Sequence, residues 1–133
     1  MRGTASALIA ICLLPGCGDG SGTFALPDGC YYSLEGNVAV LSIRGEEGTI
    51  VTAGSDLRSV QVRPRVDQDG AWLEARPAFR LERRDLRAVA EGPGAARFPI
   101  EPRDGGQAIL APLSDGGRME LRLGAVCAPG SAR

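Results

Sequence analysis

The chain contains no histidine. It contains no lysine either, so all of its 15 cationic side chains are arginine. Histidine is the side chain whose ordinary pKa lies between pH 5 and 8, and without it Ser-His-Asp and Cys-His nucleophile systems and histidine-ligated zinc or haem are excluded. Without lysine, Schiff-base chemistry and Ser-Lys pairs go as well. An excess of one charge is also missing: the 15 cations face 16 acids, the net charge is −1 and the pI is about 5.5. Nothing is left over to neutralise a phosphate backbone, so nucleic acid is not an expected partner. Aromatic residues are scarce, at one Trp, two Tyr and three Phe. No apolar run reaches the roughly 20 residues that a membrane-spanning helix needs.

What is present begins at the N-terminus. Met1 and Arg2 give a short positive start, Ala5 to Leu14 a compact apolar stretch, and Gly16 a small residue before Cys17. This is the layout of a secretory signal. Leu14-Pro15-Gly16-Cys17 resembles the lipobox of bacterial lipoproteins, with Pro15 where Ala, Ser or Thr is commoner. The resemblance implies cleavage before Cys17 and lipidation of its sulfur, with Cys12 leaving in the signal peptide. Two or more acyl chains hold a protein stably on a bilayer, at about 0.8 kcal/mol per buried CH₂. In Gram-negative lipoproteins an Asp just after the lipidated cysteine favours inner-membrane retention. Gly18 stands there, so the expected location is the periplasmic face of the cell envelope, at the outer membrane rather than the inner.

The organisation expected from this is a signal peptide over 1–16, a lipidated Cys17 with a flexible Gly/Ser-rich tether through 26, one β-domain over 27–128 and a flexible tail over 129–133. Once Cys12 and Cys17 are assigned, Cys30 and Cys127 remain. In an oxidising compartment two such thiols favour a disulfide. They lack the CxxC spacing of a redox or metal pair.

Within the body, short runs alternate apolar and polar residues with period two. Val60, Val62 and Val66 interleave with Gln61, Arg63 and Arg65, and Met119, Leu121 and Leu123 with Glu120 and Arg122. That is the pattern of strands with one buried and one wet face. Asp-Gly, Gly-Gly and Glu-Gly-Asn clusters separate the runs, as tight hairpins require. Strands are expected near 30–34, 37–44, 48–53, 57–66, 71–76, 78–82, 86–90, 96–100, 107–111 and 118–127. The fold class is therefore all-β, a small antiparallel sandwich or barrel of hairpin-connected strands. One segment competes. Leu86, Val89 and Ala90 are at helical spacing among good helix formers, so a short helix over 82–91 is as acceptable there as a strand.

Few residues suggest chemistry. The Asp67-Gln68-Asp69-Gly70 turn with Glu74 lacks the ligand spacing of a calcium loop and reads as a hairpin. Arg80, Arg83, Arg84 and Arg87 form the densest cationic cluster, and Tyr31 and Tyr32 pair two aromatics beside Cys30. These six residues are the candidate interaction surface. No metal site, cofactor or catalytic group is expected, because sixteen acids always offer pairs and nothing singles out two. The leading expectation is a non-enzymatic, lipid-anchored envelope domain that binds or scaffolds an envelope protein. A periplasmic inhibitor of a cell-wall-degrading enzyme comes second, since lysozyme-inhibiting lipoproteins are similar in size, anchor and cysteine placement. A carboxylate-based hydrolase comes third.

Overall fold

The computed structural model describes residues 21–23, as backbone, and 26–124. The signal peptide over 1–16, Cys12, Cys17, most of the tether, Cys127 and the tail lie outside the described residues.

Among the described residues eleven strands follow one another: β1 (Ser21–Thr23), β2 (Gly29–Ser33), β3 (Ala39–Arg44), β4 (Glu47–Ile50), β5 (Ser59–Asp67), β6 (Gly70–Arg76), β7 (Ala78–Leu81), β8 (Ala88–Gly92), β9 (Ala96–Arg103), β10 (Gly106–Pro112) and β11 (Arg118–Leu123). Eight of them close an antiparallel barrel. The order runs β5-β4-β3-β2-β11-β10-β9-β6 and returns to β5. Between sandwich and barrel, the closed form is the one adopted, and closure removes the exposed edges an open sheet would carry.

Each of the ten expected runs holds a strand. An eleventh, β1, lies in the segment expected to be tether and pairs through Ser21, Gly22 and Thr23 with Asp67, Val66 and Arg65. It shares one edge of β5 with β4, which pairs with Ser59 to Gln61. Pro64 falls between the two. Val62 N–H donates across that edge to Glu46 O at 2.9 Å, so the backbone nitrogen of Pro64, two residues on, points into the gap where no ladder bond is lost.

Alternation fills the interior. Val60, Val62, Leu73, Ala75, Phe98, Ile100, Met119 and Leu121 all belong to one buried cluster. Gly48 is the inward residue of β4, and a Cβ there would come within 2.9 Å of Val60 Cγ2 and 3.0 Å of Val62 Cγ1. Only a residue without a side chain fits that position unless its neighbours move. The Asp67 to Gly70 turn is the β5–β6 hairpin, with Asp69 N–H donating to Asp67 Oδ1 at 2.8 Å.

Of the two alternatives left open over 82–91, helix and strand, the structure takes the strand. Residues 82–87 make a tight turn and β8 follows, pairing with β7 so that Arg80 meets Val89 and Leu81 meets Ala88. The turn is closed by Leu86 N–H donating to Glu82 O at 2.7 Å and Glu82 N–H to Arg87 O at 3.0 Å. Leu86 takes φ 59, the left-handed region that stops a helix.

This hairpin caps one end of the barrel. On one side Ser114 N–H donates to Leu81 O at 2.8 Å. On the other, Thr52 Oγ1 donates to Leu86 O at 2.8 Å, and Asp56 N–H to Ala88 O at 2.8 Å. Phe79, Leu81, Leu86 and Ala88 thereby join the core, and Phe79 meets Phe98 edge to face at 5.0 Å. Antiparallel order puts the 34–38, 51–58 and 113–117 loops at this capped end. The 45–46, 68–69 and 104–105 turns and the start of β2 lie at the opposite end.

Candidate functional site

The six residues of the expected interaction surface do not form one site. Tyr31 is core, 1% exposed, and its hydroxyl donates to Pro27 O at 2.7 Å. Burial, helped by the Asp28 charge, pushes its pKa up to about 12. Tyr32 is half-buried and stands opposite Arg122 on β11. Both belong to β2, a strand of the barrel wall, and not to the cap hairpin.

The cap arginines lie together but are drawn into ion pairs. Arg87 Nε donates to Glu82 Oε1 at 2.7 Å and Arg83 Nε to Asp115 Oδ2 at 2.8 Å. Arg80 pairs with Glu91 at 3.2 Å, while Arg84 is exposed. The hydrogen bond from Arg83, followed by the Gly117 N–H, holds the Asp115 carboxyl below the ordinary carboxylate range. Exposed pairs of this kind contribute little to stability. They do neutralise the cluster. A second network is similarly balanced: Arg122 Nε donates to Glu120 Oε2 at 2.7 Å, Arg103 Nε to the same oxygen at 3.2 Å, and Arg103 also meets Glu101 at 3.1 Å. These bonds, led by Arg122, keep Glu120 below its usual range against the opposing effect of burial.

The outer face of β5, β6 and β9 is different. Register places Arg65 opposite Trp72, Arg63 opposite Glu74 and Gln61 opposite Arg76, while Glu74 stands opposite Arg97 on β9. Trp72, Glu74 and Arg76 alternate along β6, so all three share its outward face. Arg97 lies with its guanidinium carbon 4.3 Å from the centre of the Trp72 ring system, a cation–π stack. Glu74 is shared, its two oxygens 3.6 Å from Arg65 and 3.9 Å from Arg76. Among the described residues no carboxylate lies within ion-pair distance of Arg97. One acid thus serves two guanidiniums, at separations longer than a hydrogen bond, and the third, Arg97, has none.

Arg65, Trp72, Glu74, Ala95 and Arg97 line a shallow groove of about 290 Å³. Beyond it, Glu46, Gln61, Arg63, Glu74 and Arg76 border a smaller hollow of about 100 Å³, in which Arg63 pairs with Glu46 at 3.4 Å. Both carboxylates of that hollow are therefore engaged by guanidiniums. Near the opposite end, Leu26, Pro27, Tyr31, Gln107, Arg122 and Leu123 line a further hollow of about 300 Å³.

Sequence reasoning found the strands that carry the Arg/Trp face but not the face. Arg63 and Arg65 read as the wet side of one strand, and Trp72 falls within the next, expected over 71–76. Only three-strand register brings Arg97, from a third strand 25 residues past Trp72, onto the indole. No family model, curated protein or solved structure matches this chain.

Proposed function

We propose that the chain is a non-enzymatic, lipid-anchored binding barrel of the bacterial cell envelope, attached through Cys17 and working through its outer surface. The observation that carries this reading is the filled interior. Tyr31, Leu41, Leu73, Phe79, Phe98 and Ile109 are essentially without solvent contact, whereas a barrel that holds a ligand or a reaction inside keeps a cavity there. Recognition then falls to the outside. The inhibitor reading ranks second, because the cap arginines that a protruding inhibitory loop would present are already committed to carboxylates.

Polarity of the barrel supports the anchor. β1 lies along the last residues of β5, at the end opposite the cap. Cys17 precedes Ser21 by four residues, a reach of at most about 14 Å of extended chain. The lipid would hold the uncapped end toward the bilayer and leave the cap facing away from it. Gly18 favours the outer membrane. Cys30 and Cys127 form a disulfide in this reading: Cys30 is fully buried, and Gly124 N–H, three residues before Cys127, donates to Cys30 O at 2.8 Å.

Fractionation tests the anchor. Expressed in a Gram-negative host, the native chain is expected in the membrane fraction and the Cys17→Ala chain in the soluble one. A Cys17→Ala chain that still sediments with membranes would overturn the proposal.

A further inference from the structure

The geometry points to the groove between Arg65, Trp72 and Arg97 as a binding site for an acidic sugar, a pyranose-sized ring bearing a phosphate or carboxylate. The inference rests on the barrel being a binding module, and is independent of how it is anchored.

Charge is the first observation. The molecule as a whole is nearly neutral, and Arg80, Arg83 and Arg87 each have a carboxylate of their own. Around the groove Arg65 and Arg76 share Glu74, and Arg97 is stacked on Trp72 with no carboxylate of the described residues within ion-pair distance, which leaves positive charge in excess. Arginine's planar fork matches phosphate and carboxylate geometry. Arg97 is held in place by its stack on Trp72, so less side-chain freedom is lost when an anion binds.

The second observation is that the groove offers more than cations. The exposed part of the Trp72 indole that Arg97 does not cover supplies an apolar wall for the C–H face of a ring. Glu74, which is 3.6 and 3.9 Å from its arginines, retains lone pairs that can accept from hydroxyls. A simple anion would use neither. A sugar carrying an oxyanion uses all three: the anion on Arg65 and Arg97, a hydroxyl on Glu74, the ring against Trp72. The volume of about 290 Å³ suits one or two such rings. Such a unit occurs in acidic polysaccharides and in phosphorylated glycolipid headgroups, and the site reads the chemistry the two share.

Trp72 is the only tryptophan in the chain, so its fluorescence reports this site alone. The full chain in neutral detergent is titrated with glucuronate, glucose 6-phosphate, glucose and inorganic phosphate. Saturable emission changes are expected with the two acidic sugars below about 10 mM, the weak end of the affinity scale, and none with glucose. Arg97→Gln and Arg65→Gln, shown by circular dichroism to keep the strand signature, are each expected to weaken binding about tenfold, the size of one lost charge-assisted hydrogen bond. Arg118→Gln, at an exposed position on β11 outside the groove, is expected to leave it unchanged. A glucuronate oligosaccharide and a phosphorylated glycolipid in mixed micelles then separate the sources, and the tighter one identifies the natural ligand class. Silence toward both acidic sugars, equal response to glucose, phosphate binding as tight as glucose 6-phosphate, or folded Arg97→Gln and Arg65→Gln chains that bind normally would each overturn the inference. Cys17→Ala fractionation reports on the anchor separately, so failure of one reading is not mistaken for failure of the other.

Discussion

Tyr31 shows how one position can be both legible and hidden. Its place on a strand follows from the alternating pattern, and two adjacent tyrosines on a strand must point to opposite sides. Which one faces inward depends on the barrel around them. The structure buries Tyr31 against Leu41 and Leu123 in register and leaves Tyr32 half-exposed. A testable consequence follows from its pKa of about 12 against an ordinary 10.0. The folded state keeps the phenolic proton to higher pH than the unfolded chain does, so between pH 10 and 12 ionisation favours unfolding. Stability is expected to be level below pH 10 with respect to this group, to fall as pH rises toward 12, and to steepen the unfolding constant by up to about tenfold per pH unit. Denaturant midpoints at pH 9 and pH 11.5 measure it. Tyr31→Phe, which loses the 2.7 Å bond to Pro27 O, should cost about 1 kcal/mol at neutral pH yet flatten the alkaline slope. An equal slope in both chains would show that Tyr31 is not the titrating group. The Arg/Trp face was out of reach for a related reason. Arg65, Trp72 and Arg97 each look like ordinary strand residues, and their meaning lies in register across three strands.

The β7–β8 hairpin is the element whose type the sequence left open. Leu86, Val89 and Ala90 suit a helix by spacing, but in the structure Leu86 is buried, Val89 is half-buried and Ala90 is exposed, the gradation of a turn leading into a strand. Tertiary pairing decided it: β7 offers a ladder, and the 51–58 loop binds the other side of β8 through Asp56 and Ser55. A six-residue connection held at both ends is too short for a useful helix. Leu86 anchors that connection with its side chain while its backbone sits at φ 59, a conformation costing about 1–3 kcal/mol for a residue with a Cβ. Two substitutions separate the effects. Leu86→Ala is expected to destabilise by about 2–5 kcal/mol through the cavity it leaves. Leu86→Gly removes the same contacts but relieves the backbone, so it should be no less stable than the alanine variant, whereas glycine is normally the worse by about 0.5–1 kcal/mol in a strand or helix. Equilibrium unfolding of the two variants gives the order. Glycine well below alanine would mean the turn is not strained there.

Barrel closure depends on the two ends of the described chain meeting. Seven of the eight seams join strands that are neighbours in sequence or are separated only by the cap hairpin, and their pairing follows from short turns. The eighth seam joins β2 to β11 through Ser33–Leu121, Tyr32–Arg122 and Tyr31–Leu123, and its closure carries the largest loop entropy in the fold. Alternation and turn residues made the strands legible in the sequence, but a closed barrel and an open sandwich predict the same local pattern, so only this seam distinguishes them. A bond between Cys30 and Cys127 would act where it is most useful. It would close about 100 residues into one loop, restricting the unfolded chain by about 4.7 kcal/mol on the chain-entropy estimate, just past the point where Gly124 N–H reaches Cys30 O. The Cys30→Ala/Cys127→Ala chain is therefore expected to unfold at lower denaturant by several kcal/mol, with a larger change in slope than a packing defect gives, because its unfolded state is more open. Hydrogen exchange should locate the loss, with β2 and β11 amides deprotected before those of β5, β6 and β9. Mature native protein, denatured without reductant, should yield no titratable thiol from Cys30 or Cys127. Two free thiols there, or equal stability in the double variant, would leave the seam to hydrogen bonds and packing alone.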